Sequence, residues 1–302
     1  MGSAIPFVPD PDVRYGMATD ETPLIRRIVA DNPGPFTYTG TGTYIVGRGE
    51  VAVIDPGPAI PAHVDALLTA LDGERVSHIV VTHTHLDHSP AAAALKQATG
   101  ATTYGFGPHG SGRAAGLERE TVEAGADWEF TPDVAMADGD VLAGNGWTLE
   151  AIHTPGHTSN HLCFALAEEQ ALFTGDHVMG WSTTVVSPPD GDMAAYMASL
   201  ERLLARQDAS LWPTHGQPVT APKPFLTALI HHRKGREEQI LACLADGIAA
   251  IPDMVTRMYA DVPTLLHPAA ARSVLAHLIK MVDEGRVATD ALATVDAVYR
   301  LG

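Results

Sequence analysis

Cysteine is nearly absent. The two present in 302 residues, Cys163 and Cys243, form neither a Cys-x-x-Cys pair nor a disulfide framework. That usage suits a reducing compartment, and the expected location is cytoplasmic. No run approaches the roughly 18 apolar residues of a membrane span. The N-terminal stretch, punctuated by Pro6, Pro9 and Pro11, has neither the basic nor the apolar region of a signal peptide, so no membrane partner is expected. Positive charge is scarce too: 19 Lys and Arg face 36 Asp and Glu, a net charge of −17. That balance excludes a broad nucleic-acid or anionic-lipid surface, which needs clustered cations, and leaves open only a local basic patch. Two common catalytic devices are missing. The Gly-rich stretch 105–112 has no Walker lysine, and no Gly-x-Ser-x-Gly elbow occurs.

What the chain has in excess is histidine, 15 residues, the commonest metal ligand and the usual proton shuttle. A hydrophobic fraction of 45% is ample for a core, and the length suits one large domain or two of unequal size. Residues 24–30 fit a strand or a helix. Phe36–Thr39 and Thr43–Val46 alternate as strands, and Val51–Ile54 is an apolar run stopped by Asp55-Pro56-Gly57. Pro61–Leu71 has helical spacing, His78–Thr82 reads as a short buried strand, and Ser89-Pro90 reads as an N-cap opening a helix. Strands over 147–153, a hairpin over 161–174, a helix over 193–205 and a short strand at Leu211-Trp212 follow. Alternating strands and helices with antiparallel hairpins favour a mixed α/β sandwich.

The composition shifts near residue 222. The first 222 residues hold 10 basic and 27 acidic side chains, whereas the remainder holds 9 of each. This divides the chain into an expected catalytic domain, 1–221, and a C-terminal part, 222–302. The second part reads as a long linking helix, two further helices ending at Gly285, and a two-stranded hairpin. That succession suggests a winged helix.

The chemistry concentrates in His83-Thr84-His85-Leu86-Asp87-His88, directly after a strand. Side chains at i and i+2 of extended chain share a side, so His83 and His85 can hold one metal. Asp87 and His88, on the turn into a helix, can face a second. His157, Asp176 and His215 each follow a strand beside Gly or Pro, where loops on a rigid sheet carry function. A carboxylate can bridge two cations, and imidazole suits zinc.

With Asp55, the 83–88 cluster, His157, Asp176 and His215 in this order over about 160 residues, the sequence resembles the metallo-β-lactamase-fold superfamily. Gly191-Asp192-Met193, Tyr196, Ser199-Leu200, His232-Arg233 and Arg236–Ile240 further resemble its β-lactamase-like protein 2 branch, which carries a C-terminal winged helix. The resemblance implies an αββα sandwich with a smaller C-terminal helical domain and two Zn2+ per chain. His83, His85 and His157 would bind the first zinc, Asp87, His88 and His215 the second, and Asp176 would bridge them. Asp55 would support the metal loop without touching metal, and zinc is favoured over iron because His85 stands where the flavodiiron branch is acidic. His177 and Trp181, beside the bridging aspartate, are assigned to the pocket or to the surroundings of the ligands. The implied activity is hydrolysis of a small carbonyl substrate (ester, thioester, lactone or β-lactam) through a metal-bound hydroxide, with Asp87 and His88 catalytic. The alternatives are a single-strand endoribonuclease of the same fold and a non-catalytic winged-helix binding module.

The other histidines are weighed singly. His153 is expected at a strand end, His161 in pocket or core, and His63, His78, His109, His267 and His277 at the surface or capping. The cluster His231–Arg236 is either a solvated helix face or an anion contact near the mouth.

The tail generates a prediction. Its last long helix offers only Arg272 and Lys280, eight residues apart, whereas a groove-reading helix needs a cationic row. The module is therefore expected to pack on the catalytic domain or on a second copy, the latter giving a homodimer, and not to bind duplex DNA. Fluorescence anisotropy at physiological salt should show no sequence-specific duplex binding below micromolar; tight binding there would refute it.

Overall fold

A computed structural model describes residues 4–10, 12–113 and 125–302; Met1–Ser3 and Pro11 of the N-terminal stretch lie outside them. Two sheets face each other. The first contains, in spatial order, β1 (Thr19–Asp20), β2 (Ile25–Val29), β3 (Gly42–Arg48), β4 (Glu50–Ile54), β5 (Arg75–Val80), β6 (Thr102–Gly105) and β7 (Val134–Ala135). Helices α1 (Pro61–Ala70) and α2 (Ala91–Thr99) follow β4 and β5. The second sheet has the order β12-β11-β10-β9-β8, from β8 (Val141–Gly144), β9 (Trp147–His153), β10 (Leu162–Leu166), β11 (Ala171–Gly175) and β12 (Ser210–Pro213). Helix α3 (Met193–Leu204) precedes β12. The tail holds α4 (Pro222–Ala245), α5 (Ile251–Met258), α6 (His267–Asp283), and the antiparallel pair β13 (Val287–Thr289) and β14 (Tyr299–Leu301).

Strand periodicity explains the layering. Tyr44, Val46, Ala52 and Ile54 point inward against Leu149, Ala151, Phe164 and Phe173 of the other sheet. Their neighbours Ile45, Val51 and Val53 point outward, under Leu67 of α1 and Leu95 of α2. Both faces of β3 and β4 are buried, so these strands read as near-continuous apolar runs. On the far side, Ile152, Cys163 and Leu172 meet Tyr196 and Leu200 of α3 and Phe225 and Leu229 of α4. The result is an αββα sandwich.

The strand directions place the site. β4 and β5 are parallel; β9 and β11 both run antiparallel to β10, and β12 runs parallel to β11. The loops after β4, β5, β9, β11 and β12 meet at one edge of the sandwich. Two backbone bonds stitch the sheets there, Gly42 N–H to Thr214 O at 2.9 Å and Leu162 N–H to Thr82 O at 2.8 Å. The Tyr44 hydroxyl adds a third tie, donating to Pro213 O at 2.6 Å.

Two local readings are corrected. Phe36–Thr39 is a turn, closed by a Gly34–Tyr38 bridge with Tyr38 at φ 55°; glycines at both ends outweigh the alternation. Ser89 does not cap α2: its hydroxyl donates to Asp127 Oδ2 at 2.6 Å. Residues 24–30 resolve as a strand.

The tail encloses a separate core of Ile240, Cys243, Met254, Val274, Leu278 and Tyr299. Helix α4 serves both cores, Phe225 to Ile230 in the sandwich and Ile240 to Leu244 in the tail. Ala276 of α6 also joins the sandwich core, so the tail packs on the sandwich. Between α4 and α6, buried Glu237 accepts from Lys280 Nζ at 2.9 Å and from Arg286, with His277 Nδ1 3.7 Å away. Removing one member of such a buried group strands the others. Glu237→Ala should lower unfolding free energy by about 3–5 kcal/mol, read by chemical denaturation; a loss under ~1 kcal/mol would show the group to be solvent-screened.

Candidate metal centre

At the shared edge, seven side chains converge. His83 Nε2 lies 3.0 Å from His85 Nδ1, and His157 Nε2 lies 3.1 Å from the same atom. His88 Nε2 and His215 Nε2 lie 3.3 and 3.2 Å from Asp87 Oδ2. Asp176 stands between the two groups. Its Oδ1 is 3.6 Å from His88 Nε2 and 3.4 Å from His215 Nε2, and its Oδ2 is 3.9 Å from His157 Nε2.

The backbone brings them there at some cost. Asp55 sits at φ 49°, a left-handed conformation that non-Gly residues adopt only when their surroundings enforce it. Gly156, before His157, has φ +144° and lies so close to Tyr196 that a Cβ would meet its Cα at 2.4 Å. Gly175, before Asp176, has φ +48° and would drive a Cβ into Thr82 and His161.

Neighbouring groups fix the rings. His157 Nδ1–H donates to Val185 O at 2.6 Å, and His215 Nδ1–H to Gly40 O at 3.0 Å. His88 Nδ1–H donates to Asp55 Oδ2 at 2.9 Å. The Thr82 hydroxyl donates to Asp55 Oδ2 at 2.7 Å and so accepts from His83 Nδ1 at 3.0 Å. In each ring the Nε2 lone pair is left for the common space. Asp87 is held from outside by the Thr41 hydroxyl at 3.0 Å, itself bonded by Asn32 Nδ2.

The donor set fits metal ions. Two ligands on one tetrahedral zinc stand roughly 3.3 Å apart, given bonds near 2.0–2.2 Å. Among the described residues, three groups have donor atoms within 4.8 Å of one another: His83, His85 and His157; His83, His88 and Asp176; Asp87, His88 and His215. His88 Nε2 and Asp176 Oδ1 are buried and meet no hydrogen-bond partner, a costly arrangement that a cation satisfies.

Electrostatics agree. Burial lowers the His83 imidazole well below its ordinary range, and His88, His85 and His157 add to this. Burial opposes charge on Asp176, but His215 and His88 hold its carboxyl well below the usual range. Asp87 follows the same pattern. Against burial, Asp176 and Asp87 push His215 up to about 10, and Asp87, Asp176 and Asp55 raise His88.

The remaining candidates separate. His177 is fully buried outside the ligand groups, its ring 4.7 Å from Tyr196 and 5.7 Å from His161. Burial lowers it to about 3. Trp181 stacks on Tyr38 at 4.7 Å, beside the loop of His215. His153 stacks on Phe106 at the end of β9, and His161 is core, stacked on His83 at 5.1 Å. His63, His109 and His277 are not surface residues; all three are buried. His109 lies behind His85, 3.0 Å from Thr84 Oγ1. The sequence signal for it was there: a Gly-Pro-His turn soon after β6. Arg233 is neither a solvated face nor an anion contact, because it is buried against the Tyr196 ring and donates to Thr184 O. Arg236 lies over Tyr259. No residue pattern in the sequence marks the fixed partners Thr41, Thr82, Gly40 and Val185.

The family model of the metallo-beta-lactamase superfamily matches residues 38–215. The chain belongs to this superfamily. A second model, the beta-lactamase associated winged helix domain, matches residues 250–293. The chain is 31% identical over 286 residues to the lactamase-like protein adaB of Aspergillus niger, covering 88% of this chain and 82% of that one. It is also 31% identical over 279 residues to an atrochrysone carboxyl ACP thioesterase of Aspergillus fumigatus, covering 86% and 79%. A beta-lactamase domain protein from Burkholderia ambifaria shares the fold, with a TM-score of 0.77 at 19% identity over 98% of this chain and 97% of that one. No helix among the described residues is long and apolar enough to cross a membrane.

The raised imidazoles set a pH test. His215, pushed up to about 10 by Asp176 and Asp87 against about 6.5 unfolded, contributes stability fully present below pH ~6.5 and lost as pH rises through ~10. A metal ligand must be deprotonated, so metal uptake at pH 7 should release protons. Calorimetry in buffers of different ionisation enthalpy should detect them; buffer-independent heats would refute the assignment.

Proposed function

We propose that this metallo-beta-lactamase superfamily hydrolase works with two zinc ions and cleaves a thioester, acting first on acyl groups carried by acyl carrier protein. The observation that carries the dinuclear reading is the carboxylate of Asp176, whose two oxygens face different histidine groups. His83, His85 and His157 would hold the first ion and Asp87, His88 and His215 the second, with Asp176 placed to serve both; the chemistry such ions would supply is acidification of water and polarisation of a carbonyl oxygen.

The chain's own residues supply the rest. Asp55 orients His88 directly and the 83–88 loop through the Thr82 amide and hydroxyl. Asp87, partly open to solvent and fixed by Thr41 and His215, is placed to orient the attacking water and carry its proton. Leu86, 49% exposed between two ligands, and the Tyr38–Trp181 pair give the rim an apolar character that suits an acyl chain. The thioesterase relatives support the thioester over an ester, lactone or β-lactam. The basic run 231–236 offers a phosphate little, since Arg233 is buried and Arg236 is committed to α5, which leaves Lys234 as its exposed cation.

Zinc-replete protein should hold two ions. Asp176→Ala should lose both and His153→Ala neither, measured by elemental analysis. Acyl-pantetheine thioesters should turn over with higher kcat/KM than nitrocefin, a lactone or single-stranded RNA at physiological salt, and Asp87→Ala should reduce that value at least ~100-fold. Efficient RNA cleavage without thioester hydrolysis would reverse the reading.

A further inference from the structure

We infer that the C-terminal module is a positioning element of the metal centre, acting through the strap 184–190 between β11 and α3. The inference rests on the dinuclear reading above.

The strap touches the site at two points. Val185 O accepts from His157 Nδ1 at 2.6 Å, fixing the ring that completes the first histidine group. The Thr184 hydroxyl donates to Asp176 O at 2.8 Å and His177 O at 3.1 Å, holding the backbone of the bridging aspartate. Both contacts need the strap itself to be fixed; a turn closed by Gly191 N–H to Ser187 O orders its far end, and the rest depends on anchors from outside.

Two of its anchors come from beyond residue 222. Arg233 of α4 is buried under the strap and donates to Thr184 O. Arg272 of α6 donates through Nε to Ser187 Oγ at 3.2 Å and through Nη2 to Pro188 O. At the far end Asp190 accepts from Arg113 at 2.7 Å and from the Ser159 hydroxyl at 2.6 Å. Val186, between the anchors, lies in one cluster with Phe225 of α4 and Ala276 of α6. A line of contacts therefore runs from the α6 guanidinium, through Pro188 and Val185, to the Nδ1 of His157. Arginine is suited to the far end because its planar fork spans two acceptors, which the single ammonium of lysine does not reproduce.

Arg272 touches neither the ligands nor any substrate position described above, so it is a positioning residue. Groups that orient a ligand's second nitrogen typically change metal affinity by 10–100-fold. One step further out, and with Thr184 and hence Asp176 still held by Arg233, Arg272→Ala should weaken the ion at the His83, His85 and His157 group about tenfold, leaving the Asp87, His88 and His215 group within twofold. Arg272→Lys should recover part of the loss.

The test uses full-length protein loaded stepwise with Co2+, following the ligand-field absorption of each ion during chelator competition. Leu278→Ala, in the tail core away from the strap, is the stability control. Selective loss at one ion in Arg272→Ala, partial rescue by Arg272→Lys, and full affinity at both ions in Leu278→Ala support the inference. Unchanged affinities in Arg272→Ala overturn it, as do equal losses at both ions that Leu278→Ala reproduces. Should wild-type protein take only one ion, the dinuclear reading fails separately, and the strap inference is judged on that ion's affinity in Arg272→Ala.

Discussion

The site is organised around one buried carboxylate. Asp55 is 1% exposed and accepts from the Thr82 amide, the Thr82 hydroxyl and His88, with the Thr214 hydroxyl 3.4 Å away. An ionised carboxylate without these partners would be strongly disfavoured in such a place. Its partners come from β5's end, the metal loop and the loop after β12, so satisfying one side chain fixes three segments together. The convergence of strand ends supplies the location, and Asp55 supplies the register within it. The left-handed backbone at Asp55 is tolerated because these partners over-determine it.

The ligand-type residues were legible because four crowd into His83–His88 after a strand and His157, Asp176 and His215 each stand at a strand end beside Gly or Pro, local signals that need no tertiary knowledge. The sandwich was legible from the alternation of strands and helices and from apolar runs such as Val51–Ile54. What lay hidden was of two kinds. Gly40 and Val185 act through carbonyl oxygens, and a backbone atom carries no mark of residue type. Arg233 and Glu237 were hidden by geometry: the basic run 231–236 lies on a helix wedged between two cores, where one turn carries both exposed Lys234 and buried Arg233. His109 lies 24 residues from His85 in sequence, and only the parallel pairing of β5 with β6 brings its loop beside the metal loop.

Half of the described Lys and Arg side chains are exposed, but several of the others are paired within the fold. Arg27 pairs with Asp10, Arg113 with Asp190, and Lys280 and Arg286 with Glu237. Each such cation neutralises an internal carboxylate or braces a loop rather than presenting itself to a partner.

Helix α4 bears on how the molecule loses its structure. It is 24 residues long, and its two halves are walls of different hydrophobic cores. Neither core closes without it, and a helix does not melt in halves without exposing apolar surface on one side or the other. The two modules therefore share a cooperative unit, unlike domains strung on a flexible linker. A cut or a recombination point within α4 would leave two incomplete globules, whereas one placed in the short turn after it would keep α4 on the sandwich and remove only what α6 adds there, Ala276 and the Arg272 contacts.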